Sequence, residues 1–239
     1  MFTVGNILCG YLAILHAMKG DFWKSALLIL LATVLDFLDG KVARLTHSTS
    51  PFGLEFDSLA DLISFGIAPA ILVQSWGLAE LNRLGGMASF LFVICSATRL
   101  ARFNIQSAHV DKKYFVGLPI PAAAAVLAAN VFFHPDALQD RFTSLLFCAF
   151  LILISVLMVS KFRYRSFKEI DIRNRKPYIF IVGFALLVAA VVTAPKEVLL
   201  VVCYGYLLSG LLPRSIPAAL FRRLRREKSA QVKRESGND

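Results

Sequence analysis

Residues 22–45 read FWKSALLILLATVLDFLDGKVARL. From Ala26 to Leu35 the stretch is apolar apart from Thr33, and apolar and polar positions do not alternate. A membrane strand would alternate with period two over about 10 residues, so this run is a helix. A bilayer requires about 20 mostly apolar residues and leaves no water to pair the backbone, conditions that a helix of this length meets. The second half of the stretch breaks the pattern. Asp36, Asp39, Gly40 and Ala43 recur at i, i+3, i+4 and i+7, one face of the helix, and Lys41 and Arg44 follow directly.

Reading outward, eight candidate spans emerge: Val4–Met18, Phe22–Leu45, Leu54–Gln74, Met87–Gln106, Leu118–Phe133, Ser144–Ser160, Tyr178–Thr193 and Val198–Leu212. The composition agrees. Of 239 residues, 57% are hydrophobic and 18% charged, and mean hydropathy is +0.64. Soluble domains carry about 45–50% apolar and about 25% charged residues. Disorder is excluded, because disordered chains are polar. A disulfide scaffold is excluded because Cys9, Cys95, Cys148 and Cys203 are sparse, lie inside spans and lack metal-type spacing; they read as small apolar packing residues. Met1–Met18 has no basic n-region and no small-residue cleavage site, so it reads as a retained helix rather than a signal peptide. Asn6 within that apolar helix calls for a functional reason. The fold expected is an all-α polytopic membrane bundle of about eight helices.

The net charge of +10 is not spread evenly. Of the 26 basic residues, 21 fall on one set of alternate connections and five on the other. Cytoplasmic loops carry the excess of Lys and Arg, so both termini are expected in the cytoplasm. Residues 1–212 form the membrane domain and 213–239 a basic cytoplasmic tail, containing FRRLRREK, that can lie along anionic lipid. Basic residues gathered at one membrane face suit lipid headgroups and phosphorylated substrates, and argue against nucleic acid. His47 and His109, on the cytoplasmic side, read as interfacial side chains, and the 20 Phe residues as lipid-facing or packing groups.

The acids carry the chemistry. Four of sixteen, Asp36, Asp39, Asp57 and Asp61, lie within or at the ends of predicted spans. An intramembrane carboxylate is costly and is by default a functional-site hypothesis. Four together cannot all stay ionised without a counter-cation. Gly53, Asp57, Asp61 and Ser64 share a face of the next helix, and the short 46–51 connection makes the two helices antiparallel neighbours. Their acidic faces therefore meet. Carboxylates are ligands for hard cations such as Mg²⁺, Mn²⁺ or Ca²⁺, and Mg²⁺ is usually shared with substrate phosphates. A structural polar cluster or an ion pathway is the alternative reading.

Together the residues spell D-x2-D-G-x2-A-R-x8-G-x3-D-x3-D over 36–61. This resembles the signature of the CDP-alcohol phosphatidyltransferase family, with every signature position and gap present. The resemblance implies a bundle of six transmembrane helices in the cell (inner) membrane around a polar cavity open to the cytoplasm. It implies that Asp36, Asp39 and Asp57 bind a divalent metal, Mg²⁺ or Mn²⁺, that grips the diphosphate of CDP-diacylglycerol. Asp61 would be the base for the acceptor alcohol. Gly40, Ala43 and Gly53 would make room for the cytidine end, and Arg44 would contact diphosphate or nucleotide. Membrane lipids as surroundings and homodimer assembly are implied as well.

The signature does not name the alcohol. Residues 2–10 (FTVGNILCG), 96–104 (SATRLARFN) and 115–123 (FVGLPIPAA) are similar to the branch of the family that uses L-serine, and eight spans rather than six also fits that branch. Serine brings a carboxylate, and Arg99 and Arg102 sit at i and i+3 on one face, where a guanidinium can fork it. Both can equally serve as anchors that snorkel to lipid phosphates. Arg102 with Asn104 can instead hold a substrate phosphate. The Gly117–Pro121 stretch reads chiefly as a device that starts a helix. Glycerol 3-phosphate, inositol or choline are the alternative acceptors. A cation transporter would show broken helices repeated in both halves, and nothing in the second half echoes the acidic cluster.

Overall fold

A computed structural model describes residues 2–46, 51–107, 115–160, 163–164 and 193–209. Helices dominate it. Helix α1 (Phe2–Met18) turns back into α2 (Phe22–Thr46) through a reversal that the sequence Lys19-Gly20-Asp21 specifies. Gly20 sits at φ +78°, the left-handed conformation that ends a helix cheaply only in glycine. Asp21 then starts α2: its carboxylate accepts from the Lys24 backbone N at 3.4 Å and from Lys24 Nζ at 2.6 Å. Close to this reversal, the buried Ser25 hydroxyl donates to the Ala13 carbonyl at 2.7 Å.

The next stretch is helical from Phe52 to Gly77, 26 residues. It comprises α3 (Pro51–Asp61), a π-helical segment (Leu62–Ile67) and α4 (Ala68–Gly77). A 3₁₀ turn (Ala79–Leu81) leads to α5 (Arg83–Ser107). A two-residue strand β1 (Phe115–Val116) precedes α6 (Ile120–Phe133), which is followed by α7 (Arg141–Val159). Strand β2 (Arg163–Tyr164) pairs antiparallel with β1, Phe115 opposite Tyr164. The last described helix is α8 (Pro195–Ser209).

The core is built around α6. Its Ala123, Ala124, Val126, Leu127, Ala128, Ala129 and Val131 are all buried, the pattern of a helix apolar all round. It packs against α2, α4, α7 and α8. The small side chains let these helices approach closely. The outer faces carry Leu8, Tyr11, Leu31, Phe37, Phe90, Leu146 and Leu153, exposed where a soluble protein would place charges. Among the described residues, three helices are long and apolar enough to cross a membrane: Phe52–Gly77, Arg83–Ile105 and Arg141–Val159. α1 and α6 are shorter apolar helices. These features are those of a membrane helix bundle.

Helices stand at seven of the eight expected spans; the eighth, Tyr178–Thr193, falls outside the described residues apart from its last position. The tail 213–239, His47 and His109 also lie outside them. Boundaries differ for identifiable reasons. α5 begins at Arg83 rather than Met87: Asn82, at φ +47°, ends the preceding turn, and its carbonyl accepts from Gly86 N at 3.2 Å to open the helix. α7 begins at Arg141 rather than Ser144, because Asp140 caps it by accepting from Thr143 N at 3.0 Å and Oγ1 at 2.8 Å. α6 starts after Pro119, as the Gly117–Pro121 stretch leads one to expect.

Candidate active site

The acidic faces of α2 and α3 meet. Asp36, Asp57 and Asp61 each present a carboxylate oxygen, and these oxygens lie within 4.8 Å of one another. All three residues are half-buried, so the cluster remains open to an approaching ligand. Among the described residues, no Lys or Arg forms an ion pair with them. Asp39 lies within electrostatic reach of Asp36 and Asp57. Its own carboxylate accepts from the Thr3 hydroxyl of α1. The structure thus groups three of the four aspartates directly, with Asp61 in the group and Asp39 tied to α1.

Helix α1 forms the third wall. Thr3, Asn6 and Gly10 share one face at i, i+3 and i+7. Asn6 is buried, and its Nδ2 donates to Asp61 Oδ1 at 3.3 Å. Its backbone carbonyl accepts from the buried Ser64 hydroxyl at 2.8 Å. Gly10 makes this crossing possible, since a Cβ there would stand 2.5 Å from Ser64 Oγ and 2.8 Å from Ser64 Cα. Ser64 belongs to the π-helical segment that begins directly after Asp61. Such segments are uncommon and cluster at functional sites, where the extra residue per turn re-aims side chains.

The cationic candidates separate. Arg99, on α5, is within electrostatic reach of Asp61 and Tyr206. Its Nε is buried and, among the described residues, has no hydrogen-bond partner. Arg102 instead donates through Nη1 to the Val159 carbonyl at 3.4 Å, at the end of α7. That is a favourable position for a cation, where helix carbonyls are unpaired. Asn104 Nδ2 donates to Ser58 Oγ at 3.1 Å and to Glu55 Oε2 at 3.4 Å, fastening the end of α5 to α3. Gly40, Ala43 and Arg44 fall on the last turns of α2, and their side chains lie outside the described residues; Gly53 is exposed in the first turn of α3.

Three converging carboxylates without His or Cys form an oxygen-only donor set, which fits a hard divalent cation rather than zinc. The half-buried setting suits a metal shared with substrate phosphate. Thr3 and Asn6 were not assigned roles by the motif. The signal was present: two polar side chains one turn apart on an otherwise apolar helix, aligned with a glycine.

The sequence profile of the CDP-alcohol phosphatidyltransferase family matches residues 1–160. The chain is 40% identical over 213 residues to the CDP-diacylglycerol–serine O-phosphatidyltransferase of Helicobacter pylori, covering 89% of this chain and 88% of the relative. It is 36% identical over 169 residues to the enzyme of the same name from Bacillus subtilis, covering 71% and 90%. It is 37% identical over 166 residues to archaetidylserine synthase of Methanothermobacter thermautotrophicus, covering 69% and 67%.

Proposed function

The chain belongs to the CDP-alcohol phosphatidyltransferase family, and we propose that it transfers the phosphatidyl group of CDP-diacylglycerol to L-serine, giving phosphatidylserine and CMP. The observation that carries this reading is the convergence of Asp36, Asp57 and Asp61 inside the family signature. Serine as the acceptor draws support from the names of the relatives and from Arg99, a half-buried cation beside Asp61.

In the proposed mechanism Asp36 and Asp57 of the converging cluster, with Asp39 one turn along α2 and within their electrostatic reach, would hold a divalent metal, Mg²⁺ or Mn²⁺, which leaves the third member of the cluster, Asp61, to act as base. When bound, such an ion neutralises charge on the diphosphate oxygens and makes CMP a better leaving group. Thr3 orients Asp39 through its hydroxyl, as partners of metal ligands generally do. Asp61 accepts the proton of the serine hydroxyl as its oxygen bonds to the phosphorus that carries diacylglycerol. The bond from that phosphorus to the CMP oxygen breaks, and CMP departs with the electron pair. Phosphoryl transfer needs mostly positioning and charge stabilisation, which helices α1, α2, α3 and α5 supply. Arg99 receives the serine carboxylate. Gly40, Ala43, Arg44 and Gly53 accommodate the nucleotide end, with Arg102 and Asn104 shaping the phosphate side of the site.

The apolar helices and the family together point to an integral membrane protein. We place its active site at the cytoplasmic face, where the positive-inside pattern gathers the basic residues, and take a homodimer as the working assembly. The direct test is incubation of the purified protein with CDP-diacylglycerol and isotopically labelled L-serine. Label recovered in lipid as phosphatidylserine supports the reading. Label that stays in the aqueous phase while another alcohol enters the lipid contradicts it.

A further inference from the structure

Asn6 is 1% exposed, and the two ends of its side-chain amide have different fates. Nδ2 faces Asp61 Oδ1 at 3.3 Å. To serve as base Asp61 must be ionised, and an ionised carboxylate can only accept, so in the working site the amide nitrogen and not its oxygen belongs on that side. The Ser64 hydroxyl holds the Asn6 backbone carbonyl, which restricts how the side chain can turn. The amide oxygen Oδ1 is left buried and, among the described residues, without a hydrogen-bond partner. Buried acceptors without donors are few in folded proteins, and each calls for an explanation.

Among the described residues, four buried side-chain polar atoms lack a partner; one belongs to Asn6, which touches Asp61, and another to Arg99, which is within electrostatic reach of it. One is an acceptor, Asn6 Oδ1; the other is a donor, Arg99 Nε. This pair is complementary to an amino acid. If the reacting hydroxyl addresses Asp61, serine has one donor group left, its ammonium, and one acceptor group, its carboxylate. The ammonium is borne on the carbon next to the hydroxyl-bearing carbon, so a hydroxyl held at Asp61 brings the ammonium to the neighbourhood of Asn6, which touches Asp61. The carboxylate cannot donate to Asn6 Oδ1, and the ammonium cannot accept from Arg99.

We propose that Asn6 is a specificity-determining residue whose Oδ1 accepts a hydrogen bond from the acceptor's ammonium group while its Nδ2 positions Asp61. This rests on the reading that serine is the acceptor. Losing a hydrogen bond to a charged group on the acceptor weakens its use by about tenfold to a hundredfold. An acceptor that lacks the ammonium gains nothing from Oδ1 and is spared that part of the loss.

The experiment measures CMP release by the full-length protein in lipid–detergent micelles. CDP-diacylglycerol is the donor, and L-serine or 3-hydroxypropanoate, which is serine without its ammonium, is the acceptor. The wild-type protein is expected to prefer L-serine by about tenfold or more in kcat/KM. Asn6→Ala is expected to reduce that preference by about tenfold, chiefly through the serine KM, with little change in the KM for CDP-diacylglycerol. If Asn6→Ala is not recovered folded, Asn6→Ser, which is too short to reach the ammonium, is read in the same way. Equal losses on both acceptors would reduce Asn6 to a structural residue and overturn the proposal. So would a wild-type protein that uses both acceptors equally, which would leave the transferase reading standing. A wild-type protein that uses neither, but uses glycerol 3-phosphate, sinks the serine reading and this inference together.

Discussion

The Thr3 hydroxyl of α1 donates to Asp39 Oδ2 of α2 at 2.5 Å. The first helix thus reaches into the acidic cluster through a residue outside the signature. Partners of metal-binding carboxylates fix their orientation, and removing one typically costs about 10–100-fold in metal affinity or activity. Thr3→Val keeps the shape and removes the donor. It is expected to raise the Mg²⁺ or Mn²⁺ concentration needed for half-maximal activity by about tenfold, with turnover largely restored at high metal. Unchanged metal dependence would show that Asp39 needs no such support.

Asp61→Asn is expected to lower turnover by about 10²–10⁴-fold, the range associated with losing a general base. Binding of CDP-diacylglycerol in the presence of metal should survive, measured by equilibrium binding of labelled donor. Near wild-type turnover would remove Asp61 from the proton-transfer role.

Asp36→Ala and Asp57→Ala should act differently. Each removes an oxygen from the cluster. Metal-dependent binding of CDP-diacylglycerol should fall along with turnover. A variant that binds the donor normally and still responds to metal would contradict the ligand assignment.

Arg99 and Arg102 should separate in the same assay. Arg99→Ala is expected to raise the serine KM by about tenfold or more, as for a lost hydrogen bond to a charged group, while sparing the donor KM. Arg102 holds the Val159 carbonyl, so Arg102→Ala is expected to lower thermal stability and to affect both substrates alike. Equal effects of Arg99→Ala on both KM values would make Arg99 an anchor as well.

Gly10→Ala tests the crossing that carries Asn6. The added Cβ would meet both the side chain and the backbone of Ser64. Overpacking of this kind costs about 1–3 kcal/mol, read as earlier thermal unfolding in detergent. Loss of activity should accompany it, because a shifted α1 takes Asn6 off Asp61. Full stability and activity would mean that the helices can separate there without consequence.

The helices that carry the acidic cluster were legible because their pattern is local. The spacing within 36–61 dictates that two acidic faces meet across a short connection, and Asp36, Asp57 and Asp61 do converge. The positions of the apolar helices followed from hydropathy, since burial in lipid imposes it on continuous runs. The contribution of α1 was less legible, because the Thr3–Asp39 and Asn6–Asp61 bonds span 36 and 55 residues, and no local spacing encodes them. The π-helical segment at Leu62–Ile67 was not visible either, since apolar content does not distinguish an i+5 bond from an i+4 bond. Where Arg102 and Asn104 of α5 dock, against the end of α7 and against α3, depends on how α5 packs, which composition leaves open.

Metal-dependent CMP release across an alcohol panel separates serine transfer from every other acceptor. Purified protein is given CDP-diacylglycerol with L-serine, glycerol 3-phosphate, inositol or choline in turn, with Mg²⁺ or Mn²⁺ and again with chelator. A metal-dependent serine transferase releases CMP with L-serine, gives phosphatidylserine as the lipid product, and loses both on chelation. Release with glycerol 3-phosphate but not with serine, or release with serine that chelation leaves untouched, would contradict that reading.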